Sequence, residues 1–132
     1  MAVLLDTDIC SHYVRGNPLV GKKCIRFAGA IHVSALTVGE ILVWALRSGT
    51  PDYWMAEIRE FLGFVEVIDV TVEVAEQFAV LRAQLLRAGN PKPPLDLFIA
   101  ATAIAHDLQL ITHNTKDYAP IPGLQFDDWL LP

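Results

Sequence analysis

Short apolar runs that recur with a helical stretch between each pair constrain this chain most. Val3-Leu4-Leu5, Ile31-His32-Val33, Val65-Glu66-Val67-Ile68 and Leu108 to Thr112 each have the length and branching of a strand, and Leu124-Gln125-Phe126 is a candidate fifth. Between them lie segments of helical length and spacing. A helix capped by Thr7 or Asp8 is expected after the first run, then one over Leu19 to Phe27 beyond the Gly16-Asn17-Pro18 break. Further helices are predicted over Leu36 to Arg47 and Tyr53 to Phe64. Val74, Phe78, Leu81 and Leu85 follow Thr71 at helical spacing, and that helix is expected to end near Gly89-Asn90. The stretch Asp96 to His106, entered through Pro91, Pro93 and Pro94, is apolar on nearly every side and reads as a buried helix. Strands alternating with helices predict an α/β fold, with a mainly parallel central sheet of about four to five strands flanked by helices.

At 132 residues the chain has the length of one domain, read here as spanning 1–132, and 53% hydrophobic residues can fill a core. Ten Lys and Arg against fifteen Asp and Glu leave a net charge of −5, which argues against gripping nucleic acid by overall charge. The small basic cluster Lys22, Lys23 and Arg26 reads as a solvated helix face. Acids gathered in one pocket and occupied by divalent cations would reverse the local sign. Cys10 and Cys24 have no metal-ligand spacing and read as free thiols in a reducing cytoplasm. The start is too short and acidic for a signal peptide, and the longest apolar run, Leu97 to Ala105, is too short for a bilayer, so no membrane is expected.

In such folds ligands bind beyond the carboxyl ends of the strands, so acids there carry most information. Asp6 ends the first strand, where a turn would explain it equally well. Thr37-x-x-Glu40 fits a capping box, which would give Glu40 a purely local task. Asp96 opens the most apolar helix, where the helix dipole favours it but burial is costly unless it is paired or coordinated. Asp117 follows the fourth strand, with Asn114 in the same loop offering a neutral oxygen. Singly these are weak signals. Together they converge on one sheet edge, where four carboxylates need neutralising. An all-oxygen set selects hard ions such as Mg2+ or Mn2+ over zinc.

Four ordered motifs carry a resemblance. Leu4-Leu5-Asp6-Thr7, Thr37-x-x-Glu40-Ile41, Pro94-Leu95-Asp96-x-x-Ile99-Ala100-Ala101-Thr102-Ala103 and Leu110-Ile111-Thr112-His113-Asn114-Thr115-Lys116-Asp117-Tyr118 resemble PIN-domain ribonucleases. More closely they resemble the VapC toxins of toxin–antitoxin pairs, as does the ending Ile121-Pro122-Gly123-Leu124-x-x-Asp127-Asp128-Trp129. The resemblance implies a three-layer PIN-like fold and a metal-dependent endoribonuclease. Its acidic quartet would be Asp6, Glu40, Asp96 and Asp117. The chain departs from one common form of the pattern, in which the last acid stands where Asn114 stands here, so Asn114 is the alternative to Asp117. Thr7 and Thr112 would orient water or phosphate, and Asp8 would be a cap or a supporting group. The resemblance also implies a homodimer, a cognate VapB-like antitoxin that blocks the site, and a structured RNA substrate. Trp44, Trp54 and Trp129 could serve core or interface.

Three rivals remain. A haloacid-dehalogenase-type phosphotransferase would use Asp6 of Asp6-Thr7-Asp8 as a covalent nucleophile, but Cys10 occupies a position that calls for Thr or Val. A receiver-like signalling domain would need a lysine that Lys116 matches poorly. A catalytically weak PIN-like scaffold binding RNA or protein is opposed by the intact quartet. His12, His32 and His106 are isolated, and His113 adjoins Asn114 without a defined task.

Overall fold

Residues 1–132 are described by a computed structural model. Five short strands form one sheet: β1 (Val3–Leu5), β2 (Ile31–Ser34), β3 (Glu66–Ile68), β4 (Gln109–Ile111) and β5 (Phe126–Asp127). Their order is β3-β2-β1-β4-β5, and all four neighbouring pairs run parallel. Seven helices cover the sheet: α1 (Thr7–Val14), α2 (Pro18–Arg26), α3 (Ala35–Arg47), α4 (Pro51–Leu62), α5 (Val72–Arg87), α6 (Pro94–Ala105) and α7 (Thr115–Tyr118). The α/β sheet flanked by helices matches the expectation.

Alternation along β1 shows how the strand is buried on both sides. Val3 and Leu5 join Ile31, Val33 and Ile111 in one apolar cluster, closed by Ile9 and Cys10 of α1, Val20 of α2, Ile41 of α3 and Ile58 and Phe61 of α4. Leu4 faces the other way, into a second cluster with Leu110, Val74, Leu81 and Leu85 of α5 and Leu97 to Ala103 of α6. Two helical layers therefore sandwich the sheet. Trp129 is buried in the first cluster, its ring 5.2 Å from that of Phe27. No helix is long and apolar enough to cross a membrane.

Several local readings are corrected. Asp6, not Thr7 or Asp8, caps α1: the Ile9 N–H donates to its carboxylate at 2.9 Å. The Thr37–Glu40 capping box does not form. β2 runs on to Ser34 and α3 begins at once at Ala35, so Ser34 is the cap, accepting from Leu36 N–H at 3.1 Å. Glu40 is thereby released from capping and lies in the second turn. The final strand is Phe126–Asp127 rather than Leu124 to Phe126, because Phe126 and Asp127 pair with Leu110 and Ile111. The loop after β4 contains the short helix α7. Thr71 caps α5, accepting from Val74 N–H at 3.3 Å, and Gly89 with φ +69° follows its end. Lys22 and Arg26 are exposed on α2, without ion-pair partners.

Candidate active site

The chain reverses its direction of sheet growth at β1: β2 and β3 are laid down on one side of it, β4 and β5 on the other. The crevice beyond the carboxyl ends of β1 and β4 is therefore the place where an open parallel sheet binds ligands. A pocket of about 340 Å3 opens there. Asp6 leaves β1 into it, its own N–H held by the Ile111 carbonyl of β4 at 3.0 Å. Glu40 and Ile41 reach it from α3, and Asp96 from the first turn of α6. Asn114 arrives from the segment after β4.

Asp6, Glu40, Asp96 and Asn114 thus share one pocket, with Thr7 and Asp8 in its wall. Asp117 does not line it. It is exposed on α7, yet close enough for its charge to raise the pKa of Asp96. Thr112 is fully buried behind the pocket. Its oxygen accepts from Asn114 N–H at 3.1 Å, which leaves its own proton for Asp6, whose charged form it favours. The Thr7 hydroxyl is turned to Thr37 at 3.4 Å. His113 points elsewhere, bonding Asp128 at 2.8 Å and so tying the loop after β4 to the C-terminal segment.

The electrostatics record crowding of like charge. Burial pushes the Asp6 carboxyl up to about 6 from an ordinary 3.8, and the charges of Asp8 and Asp96 add to the rise. Asp96 is raised by burial and then by Asp117, while the Tyr118 hydroxyl and Lys92 pull it back. Tyr118 is itself pushed well above the usual phenol range by burial and by Asp96 and Asp6. It therefore stays a neutral hydrogen-bond donor beside Asp96.

A hard cation fits this donor set. The pocket offers carboxylate and amide oxygens, without thiol or imidazole. No three His, Cys, Asp or Glu side chains are drawn together into a closed cage. Mg2+ does not need one, since it keeps several waters and is held by one or two carboxylates together with substrate phosphates. An ion there would offset the cost of burying Asp6 and Asp96 as anions and relieve the repulsion that adds to it.

Tyr118, Ser11 and Trp44 also line the pocket and escaped the sequence reading. Tyr118 closes the Leu110 to Tyr118 motif and ends α7 with a buried aromatic ring, which reads as core. Trp44 lies one helical turn after Glu40, a spacing that could have signalled a shared face.

A family model described as PIN domain matches residues 3–121. The chain is 30% identical over 127 residues to the tRNA(fMet)-specific endonuclease VapC of Shigella flexneri, covering 96% of each. It is 28% identical to Ribonuclease VapC2 of Haemophilus influenzae, covering 96% of this chain and 97% of the relative. Among solved structures, DNA-bound VapBC from Salmonella typhimurium superposes with a TM-score of 0.93 at 28% identity, over 98% of both chains. VapBC2 from Rickettsia felis, bound to a DNA fragment from their promoter, gives 0.91 at 26% identity over 98% and 99% of the two chains.

Proposed function

The chain belongs to the PIN-domain family, in its VapC branch, and from that premise we propose that it is the endoribonuclease toxin of a toxin–antitoxin pair, hydrolysing phosphodiester bonds of a structured RNA with Mg2+ or Mn2+. The observation that carries this is the convergence of Asp6, Glu40 and Asp96 on one pocket at the strand-order switch, with the Asp6 proton affinity raised mainly by burial and further by Asp8 and Asp96. A bound divalent ion supplies charge neutralisation and acidifies the attacking water.

The chain's own residues do the rest. Asp6 and Asp96 supply the anionic oxygens, and Glu40 faces them from α3. Asn114 or Asp117 completes the set from the segment after β4. Thr112 keeps Asp6 in register through its hydroxyl, and Tyr118 does the same for Asp96. Thr7 contributes a further hydroxyl at the pocket wall. No side-chain nucleophile is needed, which separates this reading from a phosphotransferase that would be phosphorylated on Asp6.

The partner in this reading is a VapB-like antitoxin protein, the kind of complex solved for the Salmonella and Rickettsia relatives. The chain acts as a homodimer of single PIN domains in the cytoplasm. tRNA(fMet), named for the Shigella relative, is the first substrate to try.

Purified chain, free of antitoxin, is incubated with total cellular RNA and Mg2+ or Mn2+, with and without EDTA, beside Asp96→Asn. Discrete fragments that require metal and vanish in the variant are expected. Intact RNA in every pool, from well-folded protein, would instead support an inactive scaffold.

A further inference from the structure

The active-site pocket does not end at Glu40. A second depression of about 390 Å3 begins on the same side of α3 and shares Glu40 and Trp44 with the first, continuing to Arg47 and Ser48. Glu40, Trp44 and Arg47 are spaced by four and then three residues, so they form one stripe along the helix. Steps of about 6 Å and about 4.5 Å along the axis separate them. The groove thus leads from an acid, past an indole, to a cation.

We infer that this stripe is a nucleotide subsite: Trp44 stacks on an unpaired base beside the bond to be cut, and Arg47 holds a phosphate one step further along the strand. The inference rests on the endoribonuclease reading of the pocket. Three observations carry it. Trp44 is only half-buried, and its ring is braced from behind by Trp54, with centroids 4.8 Å apart, which is in turn met edge-on by Tyr53 at 4.9 Å. An indole held by other rings is a rigid platform, and every base has a face to lay on it. Arg47 is exposed, and the ion pairs of the structure all involve histidines, so its guanidinium has no carboxylate to satisfy it. Finally, with ten cations against fifteen acids the chain cannot hold RNA by general attraction. Stacking survives both that deficit and salt, and it suits a single-stranded loop of a structured RNA.

The test uses the full chain carrying Asp96→Asn, in Mg2+, with a short fluorescein-labelled single-stranded RNA and its abasic counterpart as probes. Anisotropy is read across a salt series. Trp44→Ala should weaken binding of the intact RNA about tenfold at every salt concentration. Trp44→Phe should restore most of it, and the abasic RNA should not distinguish Trp44→Ala from its parent. Arg47→Ala should weaken both probes and lower the slope of log K against log salt by about 0.7, the single-strand value for one lost phosphate contact. Undiminished RNA binding by Trp44→Ala overturns the inference, as does a loss that Phe does not restore. So does a loss confined to binding of a protein antitoxin, which would make the stripe a protein interface. The chain without Asp96→Asn is run on total RNA in parallel. Metal-dependent cleavage there, with Trp44→Ala equal to its parent, sinks the subsite alone. No cleavage and no binding sinks the nuclease reading with it.

Discussion

Replacing Asp6 by Asn should stabilise the metal-free protein while destroying its activity. The Asp6 carboxyl is held at about 6 against an ordinary 3.8, mainly by burial and further by Asp8 and Asp96. The folded state therefore keeps the Asp6 proton over a pH range in which the unfolded chain has lost it, and stability falls as pH rises from about 4 to about 6. At about 1.36 kcal/mol per pH unit, the ionised carboxylate costs the fold about 3 kcal/mol above that window. Asn removes the charge but keeps an oxygen for the Ile9 N–H, and Asn caps helices about as well as Asp. Some of the gain is lost because the new amide is itself desolvated, which leaves about 2 kcal/mol, or about 6–10 °C in Tm for a chain of this length. Thermal unfolding by circular dichroism, in EDTA, at about pH 7.5 and about pH 4, checks this. The advantage of Asp6→Asn should be present at the higher pH and absent at the lower. Added Mg2+ should narrow it by stabilising only the parent. A variant no more stable than the parent at the higher pH, or more stable by the same amount at both, would refute the argument that buried charge strains this site.

Two further outcomes are expected. Asp117→Asn and Asn114→Ala separate the two candidates for the fourth position: Asn114 lines the pocket and Asp117 does not, so Asn114→Ala should raise the Mg2+ concentration needed for half-maximal cleavage more than Asp117→Asn does. Trp129→Ala empties a fully buried site against Phe27 and should cost about 3–5 kcal/mol, read as a lowered urea midpoint with an unchanged m value.

Element order and type were largely readable because they depend on local pattern. β1, with Val3, Leu4 and Leu5 all apolar, announces a strand buried on both faces, and the run from Leu97 announces a buried helix. The failures lie where one residue of register changes a residue's task. Thr37-x-x-Glu40 satisfies the sequence rule for a capping box, but Ser34 ends β2 and takes the cap first, three residues before the box could begin. Asp6 looked like a strand terminator with a cap to follow, whereas it is itself the cap. That double duty fixes the orientation of its carboxylate. Tyr118 and Trp44 were hidden for another reason: their importance comes from a pocket assembled by α3, α6 and the segment after β4, and nothing local distinguishes them from core aromatics.

The position of β1 at the centre of the sheet also has a bearing on synthesis. Val3 to Leu5 wait for Gln109 to Ile111, their partners on one side, until β2, β3 and helices α1 to α6 have been made. Contacts so distant in sequence close late and slowly. On the ribosome, Asp6 and Glu40 emerge well before Asp96 and Asn114. A catalytic pocket divided in this way exists only once β4 has been made: a message broken or stalled before β4 yields a chain that holds Asp6 and Glu40 but has no crevice to put them in.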